Sequence, residues 1–133
     1  MKYVRLSFHA VLLAVLACTL TACPNPEETF TIRVVNSSDG IDVLSLAISN
    51  VGPLGGADVT DNLLLRRIRP GRQRDVTVLL EDVGEGNGIG LVLDGASSSR
   101  FAKVVDGGFT AGITVVVTVS GNVRDTNVDV LVQ

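Results

Sequence analysis

The sequence predicts an all-β protein, folded as a single small β-sandwich of seven to eight strands. From Phe30 onward apolar residues recur at every second position, the period of a half-buried strand. Clusters of Gly, Asn, Asp and Pro separate these runs at short intervals, and β-branched residues that suit a pleated surface are abundant. Helix start and stop signals are absent from this region, as is any repeat of a propeller or solenoid kind.

In residues 30–35, Phe30, Ile32 and Val34 share one face and Thr31 and Arg33 the other. Asn36-Ser37-Ser38-Asp39-Gly40 supplies residues suited to left-handed or side-chain-bonded turns. A second strand follows over residues 41–49, with Leu44, Leu46 and Ile48 expected inward. Residues 50–62 hold Gly52-Pro53, Gly55-Gly56, Asp58 and Asp61 and read as a long surface loop. Residues 63–68 and 73–80 flank Arg69-Pro70-Gly71-Arg72. Pro at the second and Gly at the third turn position predict a type II turn, here closing a hairpin. Ile89, Leu91 and Leu93 alternate in the next strand, and a turn from Asp94-Gly95 to Arg100 leads into residues 101–105. After Asp106-Gly107-Gly108, Ile113, Val115, Val117 and Val119 alternate with Thr114, Val116, Thr118 and Ser120, and Val128, Val130 and Val132 complete the pattern. This spacing favours a sandwich of immunoglobulin-like or related topology, with a small β-barrel as the alternative.

Ahead of this domain lies a different kind of segment. Lys2 and Arg5 precede an apolar run over residues 8–20, about 13 residues, where a spanning helix needs about 20. The run ends in Leu20-Thr21-Ala22-Cys23. These four residues resemble the lipobox of bacterial lipoproteins, in which an aliphatic residue, a small or hydroxylated one and Gly or Ala precede the Cys that takes a diacylglyceryl thioether. The resemblance implies that residues 1–22 are a removed signal peptide, that Cys23 carries lipid (palmitate-type acyl chains), that residues 23–29 form a short tether and that residues 30–133 form the domain. An ordinary cut after Ala22 would put Leu20 where small residues are wanted. A cut before Cys18 would shorten the apolar run and place Leu16 where the lipobox takes a small residue; it is the alternative. In enteric lipoproteins Asp after the lipidated Cys favours the inner membrane. Pro24 stands there in this chain, which leans toward an outer membrane if the organism has two.

Cleavage before Cys23 would leave 111 residues, enough for one core. Cys18 would leave with the signal and Cys23 would be acylated, so no disulfide would brace the fold. Two or three acyl chains would hold the chain firmly on a membrane, where one is marginal. Pro24-Asn25-Pro26-Glu27-Glu28 favours an extended spacer of about 17 Å, keeping the domain near the bilayer. Losing Lys2 and Arg5 leaves 9 basic against 14 acidic residues, a formal charge of −5 that argues against a general nucleic-acid binder.

The residue inventory narrows the chemistry. The single His, His9, and the single Tyr, Tyr3, both lie in the signal, and Trp is absent. A histidine-based serine or cysteine hydrolase is thereby excluded from the domain, as are zinc and copper sites of the usual His/Cys kind. Ser97-Ser98-Ser99 reads as a turn, and Phe30, Phe101 and Phe109 read as core rather than as stacking platforms. Gly84, Gly86, Gly88 and Gly90 alternate without completing a nucleotide-binding G-x-G-x-x-G. Glu81, Asp82, Glu85 and Asn87 form an acidic loop that offers oxygen ligands for calcium, although their spacing lacks the D-x-[DN]-x-[DN]-G order; a solvated turn is the plainer reading. No cofactor is expected.

The oddity is basic. Arg66, Arg67, Arg69, Arg72 and Arg74 fall within nine residues of an acidic chain. On a strand Arg66 and Arg67 would face opposite ways, so only part of the cluster is expected to converge. It could contact anionic head groups, phosphates or an acidic partner through guanidinium forks, or simply neighbour Asp58, Asp61 or Asp75. Arg33-Val34-Val35-Asn36, Ser45-Leu46-Ala47-Ile48-Ser49 and Arg69-Pro70-Gly71 are loosely similar to small exported bacterial β-sandwich modules. The reading is a lipid-anchored, noncatalytic binding or structural module of the cell envelope. Its partners are the membrane, through Cys23, and an envelope protein or anionic surface, not nucleic acid. A calcium- or anion-dependent ligand-binding lipoprotein using surface loops is the alternative, and a carboxylate-based hydrolase a remote one.

Overall fold

The computed structural model describes residues 28–133 apart from Leu54; the segment expected to be a signal, Cys23 and most of the expected tether lie outside the described residues. Eight strands form two four-stranded sheets packed face to face, a β-sandwich with no closed barrel. They are β1 (Thr29–Asn36), β2 (Asp42–Gly52), β3 (Gly55–Asp58), β4 (Arg72–Leu79), β5 (Gly88–Asp94), β6 (Arg100–Val104), β7 (Thr114–Asn122) and β8 (Asp125–Val132). One sheet has the order β4-β1-β7-β8 and the other β3-β2-β5-β6. β1 and β2 lie in opposite sheets, whereas constant-type immunoglobulin domains place their first two strands together, so the topology is of the related kind. Every pairing is antiparallel except that of β1 with β7.

The alternating faces close on one core. Phe30, Ile32 and Val34 of β1 meet Val115, Val117 and Val119 of β7 and Val128 of β8 on one inner face; Val43, Leu46, Ile48, Ile89, Leu91 and Leu93 supply the other. Phe109 lies against Phe30 with ring centroids 4.8 Å apart, and Phe101 packs half-buried on the core, as expected for structural aromatics.

Two details differ from the sequence reading. The first is Leu44, expected inward but exposed, with Val43 buried in its place. A bulge between Val43 and Ser45 adds one residue to β2 against β5, and one added residue reverses the alternation.

The second is the path from residue 50 to residue 72. Residues 50–52 and 55–58 are strand, not loop: β2 runs on to Gly52 and pairs antiparallel with β3. Residues 63–68 form no strand and no hairpin with β4, which pairs with β1 instead. The chain crosses here from one sheet to the other along the open edge of β2, and side chains replace the missing ladder. The Ile48 N–H donates to Thr60 Oγ1 (3.0 Å) and the Leu46 N–H to Asn62 Oδ1 (3.1 Å). Backbone bonds from Val59 to Ile48 and from Leu63 to Leu46, and a two-way Val43–Ile68 bridge, complete the seal. Leu63-Leu64-Leu65 does not alternate, so no single face could have been assigned to it.

Candidate functional site

The crossing segment ends in the expected turn. The Arg72 N–H donates to the Arg69 carbonyl (3.2 Å), and Gly71 at φ +73° takes the left-handed place that a type II turn requires. The Gly71 N–H also donates to the carbonyl of Asn36 (2.7 Å), fixing the turn to the end of β1.

Asn36 organises this end of the molecule. It continues the inward series Phe30, Ile32, Val34 and is fully buried. Its Nδ2 donates to the carbonyls of Ile41 (2.7 Å) and Ile68 (2.9 Å), while Oδ1 accepts from the N–H and hydroxyl of Ser38. One amide thus ties β1, the following turn and the crossing segment together. A polar residue at an inward position of an alternating run is the signal in the sequence that marks it.

Beside this anchor lies a groove of about 620 Å³ lined by Arg66, Arg67, Ile68, Arg69, Arg72, Gln73 and Arg74. All five clustered arginines therefore converge, contrary to the expectation that only some could. The reason is that residues 63–68 are not a strand, so alternation does not turn Arg66 and Arg67 to opposite sides. Arg72 and Arg74 share the inner face of β4, opposite Asn36 and Val34 of β1, with Arg72 exposed and Arg74 half-buried.

The neighbouring carboxylates do not neutralise this groove. Asp75 follows Arg74 but faces the other side of the sheet, where it accepts a forked pair of bonds from Arg33, both 2.8 Å. The hydrogen-bonded Arg33 guanidinium holds the Asp75 carboxyl below the usual carboxylate range, and Asp75 raises Arg33 in return. Asp58 is held by Arg100 (2.6 Å) and by the Ser49 hydroxyl (2.8 Å). Within the groove only Arg67 has a carboxylate, Asp42 at 3.1 Å. Arg66, Arg69, Arg72 and Arg74 form no ion pair among the described residues.

The acidic loop is arranged differently. Glu81 and Asp82 stand exposed on a short 3-10 turn over Leu80–Val83, and Glu85 follows it, also exposed. Asn87 spends both ends of its amide on Val51, accepting from its N–H (2.6 Å) and donating to its carbonyl (3.0 Å). Among the described residues no three His, Cys, Asp or Glu side chains are grouped to hold a metal ion. The alternating glycines have a packing reason at Gly90, where a Cβ would collide with the Ser49 hydroxyl and the Asp58 carboxylate. No described helix is long and apolar enough to cross a membrane. No protein family, curated protein or solved structure matches this chain.

Proposed function

We propose that this protein is a lipid-anchored, noncatalytic binding module of the bacterial cell envelope, with the arginine groove as its contact surface for an anionic partner. The observation that carries the binding reading is the set of four arginines lining one groove without carboxylate partners among the described residues, on an acidic chain. Guanidinium forks are built for planar oxyanions, and mutual repulsion makes such a cluster costly unless something negative shares it. Anchoring rests on the basic start, short apolar run and Leu20-Thr21-Ala22-Cys23. Pro24 after the Cys favours an outer membrane in a two-membrane organism.

The test of the address is the intact mass of the N-terminal peptide from membrane-extracted protein, beside a Cys23→Ala variant that is fractionated. An acylated Cys23, with the variant soluble or uncleaved, is the expected result. An unmodified chain starting elsewhere would replace the anchored module with a freely diffusing exported one.

A further inference from the structure

We infer that the arginine groove is a binding site for a ligand presenting at least two phosphate groups, taken from the side of the domain facing away from the anchoring membrane. The orientation rests on the anchored reading proposed above; the charge argument does not.

The number of phosphates follows from charge. Arg66, Arg69, Arg72 and Arg74 supply four positive charges without a carboxylate partner among the described residues. A phosphate monoester carries about −1.5 to −2 near neutral pH, so two of them balance four guanidiniums, where a simple carboxylate ligand would need four groups. The groove's roughly 620 Å³ is within the size range of small-ligand sites. Its frame is fixed by bonds independent of any ligand: Asn36 to Ile68, Gly71 to Asn36, and Arg67 to Asp42. The backbone carrying the arginines is therefore already fixed, and only their side chains have to order on binding.

The facing direction follows from the course of β1. The tether enters at Thr29, and the groove lies at the other end of the strand, since Arg72 pairs with Asn36 and Arg74 with Val34. Seven steps of about 3.3 Å separate Thr29 from Asn36, about 23 Å. A domain hung from its N-terminal end on a short spacer thus presents the groove outward. Leu65, next to Arg66, is 95% exposed, the most exposed large hydrophobic among the described residues, and would suit insertion into lipid. A single exposed leucine is nonetheless ordinary on a protein surface.

The experiment uses full-length protein extracted in neutral detergent, titrated calorimetrically with inorganic pyrophosphate, and with sulfate at matched ionic strength. Pyrophosphate is expected to bind at least about tenfold more tightly than sulfate, as charge-assisted forks to two phosphates require. Arg69→Gln and Arg72→Gln, both at exposed positions, are each expected to weaken it about tenfold, and Arg124→Gln in the β7–β8 turn to leave it unchanged. Equal affinity in the groove variants, sulfate binding as tightly as pyrophosphate, or no binding to the wild type would overturn the site. A second arm repeats the titration with the protein anchored in neutral vesicles and in vesicles with anionic lipid. Equal affinity supports the outward groove. Loss of pyrophosphate binding in anionic vesicles, restored by Leu65→Asp, would assign the groove to lipid head groups instead. The N-terminal peptide mass is read on the same preparation, so a failure of anchoring is seen separately from a failure of the groove.

Discussion

Asn36 saturates its side-chain amide inside the protein, and its removal would strand buried partners. Asn36→Ala leaves the buried Ser38 N–H without its acceptor and takes one of two donors from each of the carbonyls of Ile41 and Ile68, which keep the Ser38 hydroxyl and the Val43 N–H; it is expected to lower unfolding free energy by about 1–3 kcal/mol, measured by urea denaturation. Gly90→Ala sets a methyl against Ser49 and Asp58. A loss of about 1–3 kcal/mol and a weakened Asp58–Arg100 pair are expected, readable from a melt of the variant beside Arg100→Gln. The Arg33–Asp75 fork gives a pH signature. The folded-state pKa of Asp75 is depressed by Arg33, so the pair's stabilisation is present above the ordinary carboxylate range and is lost as pH falls through the depressed value. Asp75→Asn should remove that acid-side component, so the two proteins converge in stability at low pH. Both side chains are largely exposed, so the difference should be small and shrink with salt.

Among the elements, the strands were legible and their interruptions were not. Phe30-Ile32-Val34, Ile89-Leu91-Leu93 and Val115-Val117-Val119 state their faces in the sequence because each keeps an apolar residue at every second position and is bounded by turns, Val92 and Val116 notwithstanding. The bulge in β2 leaves no compositional mark, so alternation alone puts Leu44 on the wrong face. The crossing segment reads as a strand in sequence because Leu63 to Ile68 is apolar enough and a true type II turn follows it. What decides its structure is nonlocal: Thr60 and Asn62 reach the bare edge of β2 sixteen or fewer residues earlier. The groove inherited that error, since its five arginines were legible but their convergence depends on the segment not being a strand. Asn62→Ala exposes the importance of this seal. The N–H groups of Leu46 and Leu64 both lose their acceptor, and a loss of about 1–3 kcal/mol is expected with hydrogen exchange rising first at Leu46.

Across the whole molecule, the acidic surface and the arginine groove pull stability and binding in different directions. Arg69→Gln combined with Arg72→Gln should leave the melting temperature unchanged or raise it at low salt, with the gain fading as salt is added, because like charges are being removed from a shared groove. A drop in melting temperature would mean that these arginines hold the fold. A second molecular-scale feature is the parallel pairing of β1 with β7, which joins residues 31–36 to residues 114–119. A polypeptide threaded out of a cell N-terminus first can zip β2 with β3 and β5 with β6 as each emerges, yet β1 must wait beside β4 with one edge bare until β7 has also crossed. In the exported reading proposed above, passage through the channel would be nearly finished before the first strand is enclosed, and over that interval its bare edge would be open to pairing elsewhere.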